Sequence, residues 1–148
     1  MPVPAAATAK ILIADDSAIF RRELSRILES QPRFKVCGKA SSGAEAIEKT
    51  RELNPDLVIL DLSMPDMNGF DAARRILAAV PSMAILLLSV HASTEFLEEA
   101  YNIGVRGYVQ KGVGGETLIE ALDALLNGDE YFLTKIETTK SRKEDLLQ

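Results

Sequence analysis

Two stretches of this chain, Leu57-Val58-Ile59-Leu60 and Ile85-Leu86-Leu87-Leu88, hold four aliphatic residues in a row. A strand with one wet face alternates apolar and polar side chains, so an unbroken aliphatic strand must be covered on both faces. Strands of that kind belong to parallel sheets packed between layers of helix. Ile11-Leu12-Ile13-Ala14 and Gly107-Tyr108-Val109 are further runs of the same sort. The four runs lead into Asp15-Asp16, Asp61, Ser89 and Lys111. In an open α/β sheet, ligands bind at the carboxyl ends of the strands. Three carboxylates, a hydroxyl and an ammonium are thus expected around one pocket, a set suited to a hard divalent cation and a phosphoryl group.

Between the runs, apolar residues recur at helical spacing. Phe20, Leu24, Ile27 and Leu28 form one stripe, and Ile47 and Leu53 lie in a second, which stops before Asn54-Pro55. Phe70, Ala73, Leu77 and Val80 form a third, ending at Pro81. Phe96, Ala100 and Ile103 mark a shorter one closed by Gly104. Leu118, Ala121, Leu122, Leu125 and Leu126 give the clearest, closed by Asn127-Gly128. Phe34-Lys35-Val36-Cys37 alternates as an edge strand does, and Ser42-Gly43-Ala44-Glu45 has the spacing of a capping box. The pattern is (βα)₅, an α/β domain with a parallel sheet over residues 10–128. Residues 1–9 are expected to be a disordered tail, and residues 129–148 a helix extension or linker.

The chain has 148 residues, 47% hydrophobic and 26% charged, which suits one packed domain. No apolar stretch reaches the roughly 20 residues that span a membrane. With one cysteine, Cys37, there is no internal disulfide framework, which points to a reducing, cytoplasmic location. A net charge of −5 argues against direct nucleic-acid binding.

Each site residue has two readings when taken alone. Asp15-Asp16 either hold a cation or cap the following helix. Asp61 follows four aliphatics and needs a partner at the rim of the core, as metal ligand, nucleophile or cap; Pro65 and Gly69 make capping the weakest of these. Ser89 is a strand-end serine or a donor to a phosphoryl oxygen. Lys111 is a solvated lysine or a point charge on phosphate, beside glycines that permit close approach.

In the order Ala14-Asp15-Asp16, Leu60-Asp61-Leu62-Ser63-Met64-Pro65 with Asn68-Gly69, Leu88-Ser89, and Tyr108 with Lys111, the chain resembles the receiver domain of bacterial two-component response regulators. The resemblance implies a flavodoxin-like, doubly wound sandwich with a five-stranded sheet in the order 2-1-3-4-5. It implies that Asp61 is the phosphoacceptor. Asp16 would bind Mg²⁺ (or Mn²⁺) directly, Asp15 largely through water, and the Ser63 carbonyl would add a ligand. Ser89 and Lys111 would contact the phosphoryl oxygens, and Tyr108 would be the switch aromatic, turning inward as Ser89 moves. The implied donor is a sensor histidine kinase or a phosphotransfer protein. The implied role is signalling rather than turnover, limited to self-phosphorylation and autodephosphorylation, with a homodimer possible on phosphorylation.

Asp-Leu-Ser-Met-Pro-Asp-Met-Asn-Gly, Leu-Ser-Val-His and Gly-Tyr-Val-Gln-Lys-Gly resemble the NarL/FixJ branch, whose output is a LuxR-type helix-turn-helix. No such unit fits the tail after Gly128, which implies a receiver-only chain or one cut at a linker. Gly112 stands where many receivers have proline, implying a looser lysine loop. His91, two residues beyond Ser89, would tune dephosphorylation together with Ser63. A haloacid-dehalogenase-like phosphatase needs an acid two residues after its nucleophile, where this chain has Ser63. A flavin mononucleotide binder needs a hydroxyl-rich phosphate loop where this chain has Asp15-Asp16. A receiver-like adaptor that works without phosphorylation is the remaining alternative.

Overall fold

The computed structural model describes residues 8–91 and 93–133. Strands and helices alternate from β1 (Ala9–Ala14), α1 (Ala18–Glu29), β2 (Phe34–Ala40) and α2 (Gly43–Leu53) to β3 (Leu57–Asp61) and α3 (Gly69–Ala79). They continue through β4 (Ala84–Ser89), α4 (Thr94–Ile103), β5 (Gly107–Gln110) and α5 (Gly115–Leu126) to β6 (Tyr131–Leu133). The strands form one parallel sheet in the order β2-β1-β3-β4-β5-β6.

The unbroken aliphatic runs are explained by two cores. Leu12, Ala14, Val58, Leu60, Ile85, Leu87 and Tyr108 face α2, α3 and α4, against Ala46, Phe70, Ala73, Ile76 and Ala100. Their neighbours Ile11, Ile13, Leu57, Ile59, Leu86, Leu88 and Val109 face α1 and α5, against Leu24, Leu28, Leu118, Leu122 and Leu125. Alternate residues of each central strand therefore enter different cores, and neither face meets water.

Side chains start most of the helices. Ser17 accepts from the Phe20 amide, Asn68 from Phe70 and Asp71, and Ser93 from Phe96. At the expected capping box, Ser42 accepts from the Glu45 amide, but Glu45 reaches the Ser41 amide rather than that of Ser42. Asn54 ends α2 with φ +49°.

Two boundaries differ from the sequence reading. β1 starts at Ala9, paired with Phe34, so the first strand takes in the last residue assigned to the tail; residues 1–7 lie outside the described residues. The sheet has six strands, not five, because Tyr131–Leu133 pairs with β5 where a helix extension or linker was expected. An unpaired β5 edge offers a row of free amides and carbonyls that any short extended segment can take up. A three-residue strand has no periodicity that a sequence could display. Residues 134–148 lie outside the described residues. Among the described residues, no helix is long and apolar enough to cross a membrane.

Candidate functional site: an acidic pocket at the strand ends

Strand register brings the polar residues together. Ala14 lies opposite Leu60, Asp61 opposite Leu88, and Ser89 opposite Gln110. The ladder runs on past the strand ends, with the Leu62 amide on the Leu88 carbonyl (2.9 Å) and the Lys111 amide on the Ser89 carbonyl (2.7 Å). Asp15, Asp61, Ser89 and Lys111 therefore emerge side by side along one edge of the fold.

Asp15, Asp61 and Ser89 are 1%, 3% and 2% exposed, whereas Asp16 is exposed to solvent. Carboxylate oxygens of Asp15, Asp16 and Asp61 lie within 4.8 Å of one another. Lys111 Nζ sits 2.9 Å from Asp15 Oδ2 and 3.3 Å from Asp61 Oδ1, and lies 4.4 Å from the centroid of the Phe20 ring. Burial pushes the Asp61 carboxyl up, and the charge of Asp15 adds to this; Lys111 and the Ser63 amide oppose it without cancelling it. Burial lowers the Lys111 ammonium, yet its contacts with Asp15 and Asp61 prevail and hold it above the ordinary lysine value.

Asp15 is not the helix cap that its position allowed. Ser17 caps α1, and Asp15 Oδ1 accepts from the Ser17 amide (2.9 Å). Among the described residues, Asp15 Oδ2 is buried without a hydrogen-bond partner and meets the Lys111 ammonium as an ion pair. Among the described residues, two buried acids and one exposed acid face the Lys111 ammonium, which leaves negative charge to spare. That surplus, with oxygen donors alone, fits a hard divalent cation. Soft-metal sites would need sulfur or imidazole ligands.

The remaining expected residues surround this pocket. The Ser63 amide donates to Asp61 Oδ1 at 3.3 Å, and the Ser63 side chain is exposed. Ser89 Oγ accepts from the His91 amide at 3.0 Å. Tyr108 is fully buried, its hydroxyl donating to the His91 carbonyl at 3.2 Å, and burial raises its phenol. His91 is exposed, with its ring edge-on to Phe96 at 5.1 Å, and Phe96 in turn meets Phe70 at 5.8 Å. Gly112 has φ +100°, and Lys111 before it is engaged through its amide, its ammonium and its position over Phe20.

Several contributors were not visible in the sequence. Arg21 donates to the Asp15 carbonyl at 2.7 Å from α1. Asp66 accepts the Gly43 and Ala44 amides at 2.8 and 2.9 Å, so the loop after Asp61 caps α2. Those amides hold the Asp66 carboxyl below the usual range. Gly69 packs so closely that a Cβ there would lie 2.6 Å from the Asp61 carbonyl oxygen. Only the Asn68-Gly69 pair hinted at this last feature.

Residues 11–123 match the response regulator receiver domain. The chain is 32% identical over 127 residues to the transcriptional regulatory protein DegU of Brevibacillus brevis, covering 86% of this chain and 54% of that protein. The chain spans about half the length of the curated relatives that it matches first. Its fold matches the crystal structure of a LuxR-family two-component response regulator from Aurantimonas sp. SI85-9A1 with a TM-score of 0.86 and 30% identity, over 94% of this chain and 99% of that one. It also matches the isolated receiver domain of RcsB from Salmonella enterica, solved with phosphomimetic BeF₃⁻, at a TM-score of 0.81 and 25% identity, over 88% of this chain and 97% of that one. The strand-end pocket and the matched sequence span coincide, and the chain belongs to the response regulator receiver domain family.

Proposed function

We propose that Asp61 accepts a phosphoryl group from a sensor histidine kinase or a phosphotransfer protein. The observation that carries this reading is the buried Asp61 carboxylate beside Asp15, with one ammonium, Lys111, within 3.3 Å. A carboxylate oxygen of Asp61 attacks the donor phosphorus in line. The phosphorus–nitrogen bond to the donor imidazole breaks, its electron pair returns to nitrogen, and an acyl phosphate forms on Asp61. Asp15, Asp16, Asp61 and the Ser63 carbonyl would hold Mg²⁺ or Mn²⁺, which when bound neutralises phosphoryl oxygen charge. Lys111 and Ser89 bind the remaining oxygens of the product.

The product adds charge where Ser89 and Lys111 sit, and this biases the loop after β4. Tyr108 reads that loop through the His91 carbonyl and is the switch residue. The full burial of Tyr108 supports reading its rotamer as the inward one. His91 and Ser63, which line one cavity with Phe70 and Phe96, tune the lifetime of the acyl phosphate. The helix α1, whose Phe20 ring lies under Lys111 and whose Ile19 is 74% exposed, offers the donor an apolar contact. Output passes through protein contact, with homodimer formation as one route.

The test is incubation of the chain with Mg²⁺ and a small phosphodonor, followed by intact-mass spectrometry. One added phosphoryl group is expected, lost in Asp61→Asn and kept in Asp66→Asn. No adduct on the wild-type chain overturns the proposal.

A further inference from the structure

The sixth strand places an aromatic ring against the switch. Tyr108 of β5 pairs with Phe132 of β6. Directly paired residues of neighbouring strands point to the same face. Phe132 therefore stands beside Tyr108 on the α4 face, and it packs against the core cluster that contains Tyr108, Ala100 and Val105. From above, Tyr101 of α4 meets the Phe132 ring at 5.9 Å and 60°. Tyr108 is held the other way, toward β4, by its bond to the His91 carbonyl.

We infer that Phe132 is a positioning residue for the switch: it fills the space beneath α4 at the β5 edge into which the Tyr108 ring would swing, and so holds Tyr108 in its buried rotamer. This inference rests on the reading of Asp61 as acceptor and Tyr108 as switch. Two anchors keep β6 at the edge. The Tyr131 amide donates to the Arg106 carbonyl at 2.9 Å, and the Tyr131 hydroxyl donates to Glu120 Oε1 at 2.9 Å. A strand of three residues has little hold of its own, so its docking depends on such side chains. Coupling of this kind is reciprocal. What keeps Tyr108 in keeps β6 down, and what keeps β6 down favours the phosphorylated state. The segment beyond the receiver core thereby takes part in the switch.

The test uses the full chain with Mg²⁺ and beryllofluoride as the probe of the Asp61 site. Phe132→Ala is expected to weaken beryllofluoride binding about fivefold, and Phe132→Leu is expected to retain most of it. In a Tyr108→Ala background, Phe132→Ala is expected to cause no further loss, since its partner is gone. Hydrogen exchange of the Tyr131 and Phe132 amides in the wild-type chain is expected to slow when beryllofluoride binds. This last readout also serves if Phe132→Ala folds poorly. Equal affinity of wild type and Phe132→Ala overturns the inference and leaves the acceptor reading intact. So does an undiminished loss in the Tyr108→Ala background, or exchange in β6 that beryllofluoride leaves unchanged. No beryllofluoride uptake by the wild-type chain overturns both.

Discussion

A carboxylate that is to attack phosphorus must be ionised, and at Asp61 ionisation carries a cost. Burial and the neighbouring Asp15 both favour its protonated form. The sign for stability follows: the folded chain binds this proton more tightly than the unfolded chain does. Stability is therefore lost as pH rises from the ordinary carboxylate value through the raised one. Asp61→Asn removes the cost, so without divalent cation it is expected to raise the midpoint of thermal unfolding by a few degrees. It should also flatten the fall in stability across that pH range; calorimetry at several pH values reads both. An unchanged or lowered midpoint would mean that the Lys111 contact outweighs the crowding. His91→Ala is expected to change the dephosphorylation rate of the Asp61 adduct several-fold. Equal rates would assign His91 only to its packing on Phe96.

Among the elements, the junction of β3 and α3 leaves no room for a side chain at Gly69. The Gly69 amide donates to the Leu62 carbonyl at 2.7 Å, and a Cβ at Gly69 would stand 2.6 Å from the Asp61 carbonyl oxygen and 2.7 Å from Leu62 Cα. Both are main-chain atoms and cannot turn aside. Gly69→Ala is expected to destabilise the fold by about 1–3 kcal/mol, the usual cost of overpacking. It should also slow phosphorylation, because the strain falls on the strand end that carries Asp61. Chemical denaturation and phosphodonor kinetics measure the two effects separately. The same loop reaches α2 through Asp66, so the segment following Asp61 ties three elements together.

For the molecule as a whole, the strand-end pocket is a concentration of like charge that folding has to tolerate. A cation that binds the folded chain alone stabilises it by mass action, roughly 1.4 kcal/mol at tenfold excess over Kd. Mg²⁺ is accordingly expected to raise the midpoint of thermal unfolding of the wild-type chain, and to do so less in Asp16→Asn, whose side chain is exposed and able to meet a hydrated ion. A midpoint that does not respond to Mg²⁺ would count against the acidic cluster as a cation site.

The alternation of aliphatic runs with helical stripes was sufficient to specify the α/β sandwich, because burial on both faces leaves its mark on every residue of a central strand. The same runs marked their own ends, and in a parallel sheet all those ends lie on one side. Asp15, Asp16, Asp61, Ser89 and Lys111 were therefore legible as one group before any contact was known. What only the tertiary structure decided depends on distance across the chain. Asp15 pairs with Lys111 and leaves the capping of α1 to Ser17. Asp66 caps a helix whose first residue, Gly43, lies 23 residues before it. Tyr108 is fully buried, and Tyr131–Leu133 closes the β5 edge beside it. Periodicity reports whether a side chain meets water or the core. It does not report which partner across the fold meets that side chain, and a strand of three residues is too short to have a period at all.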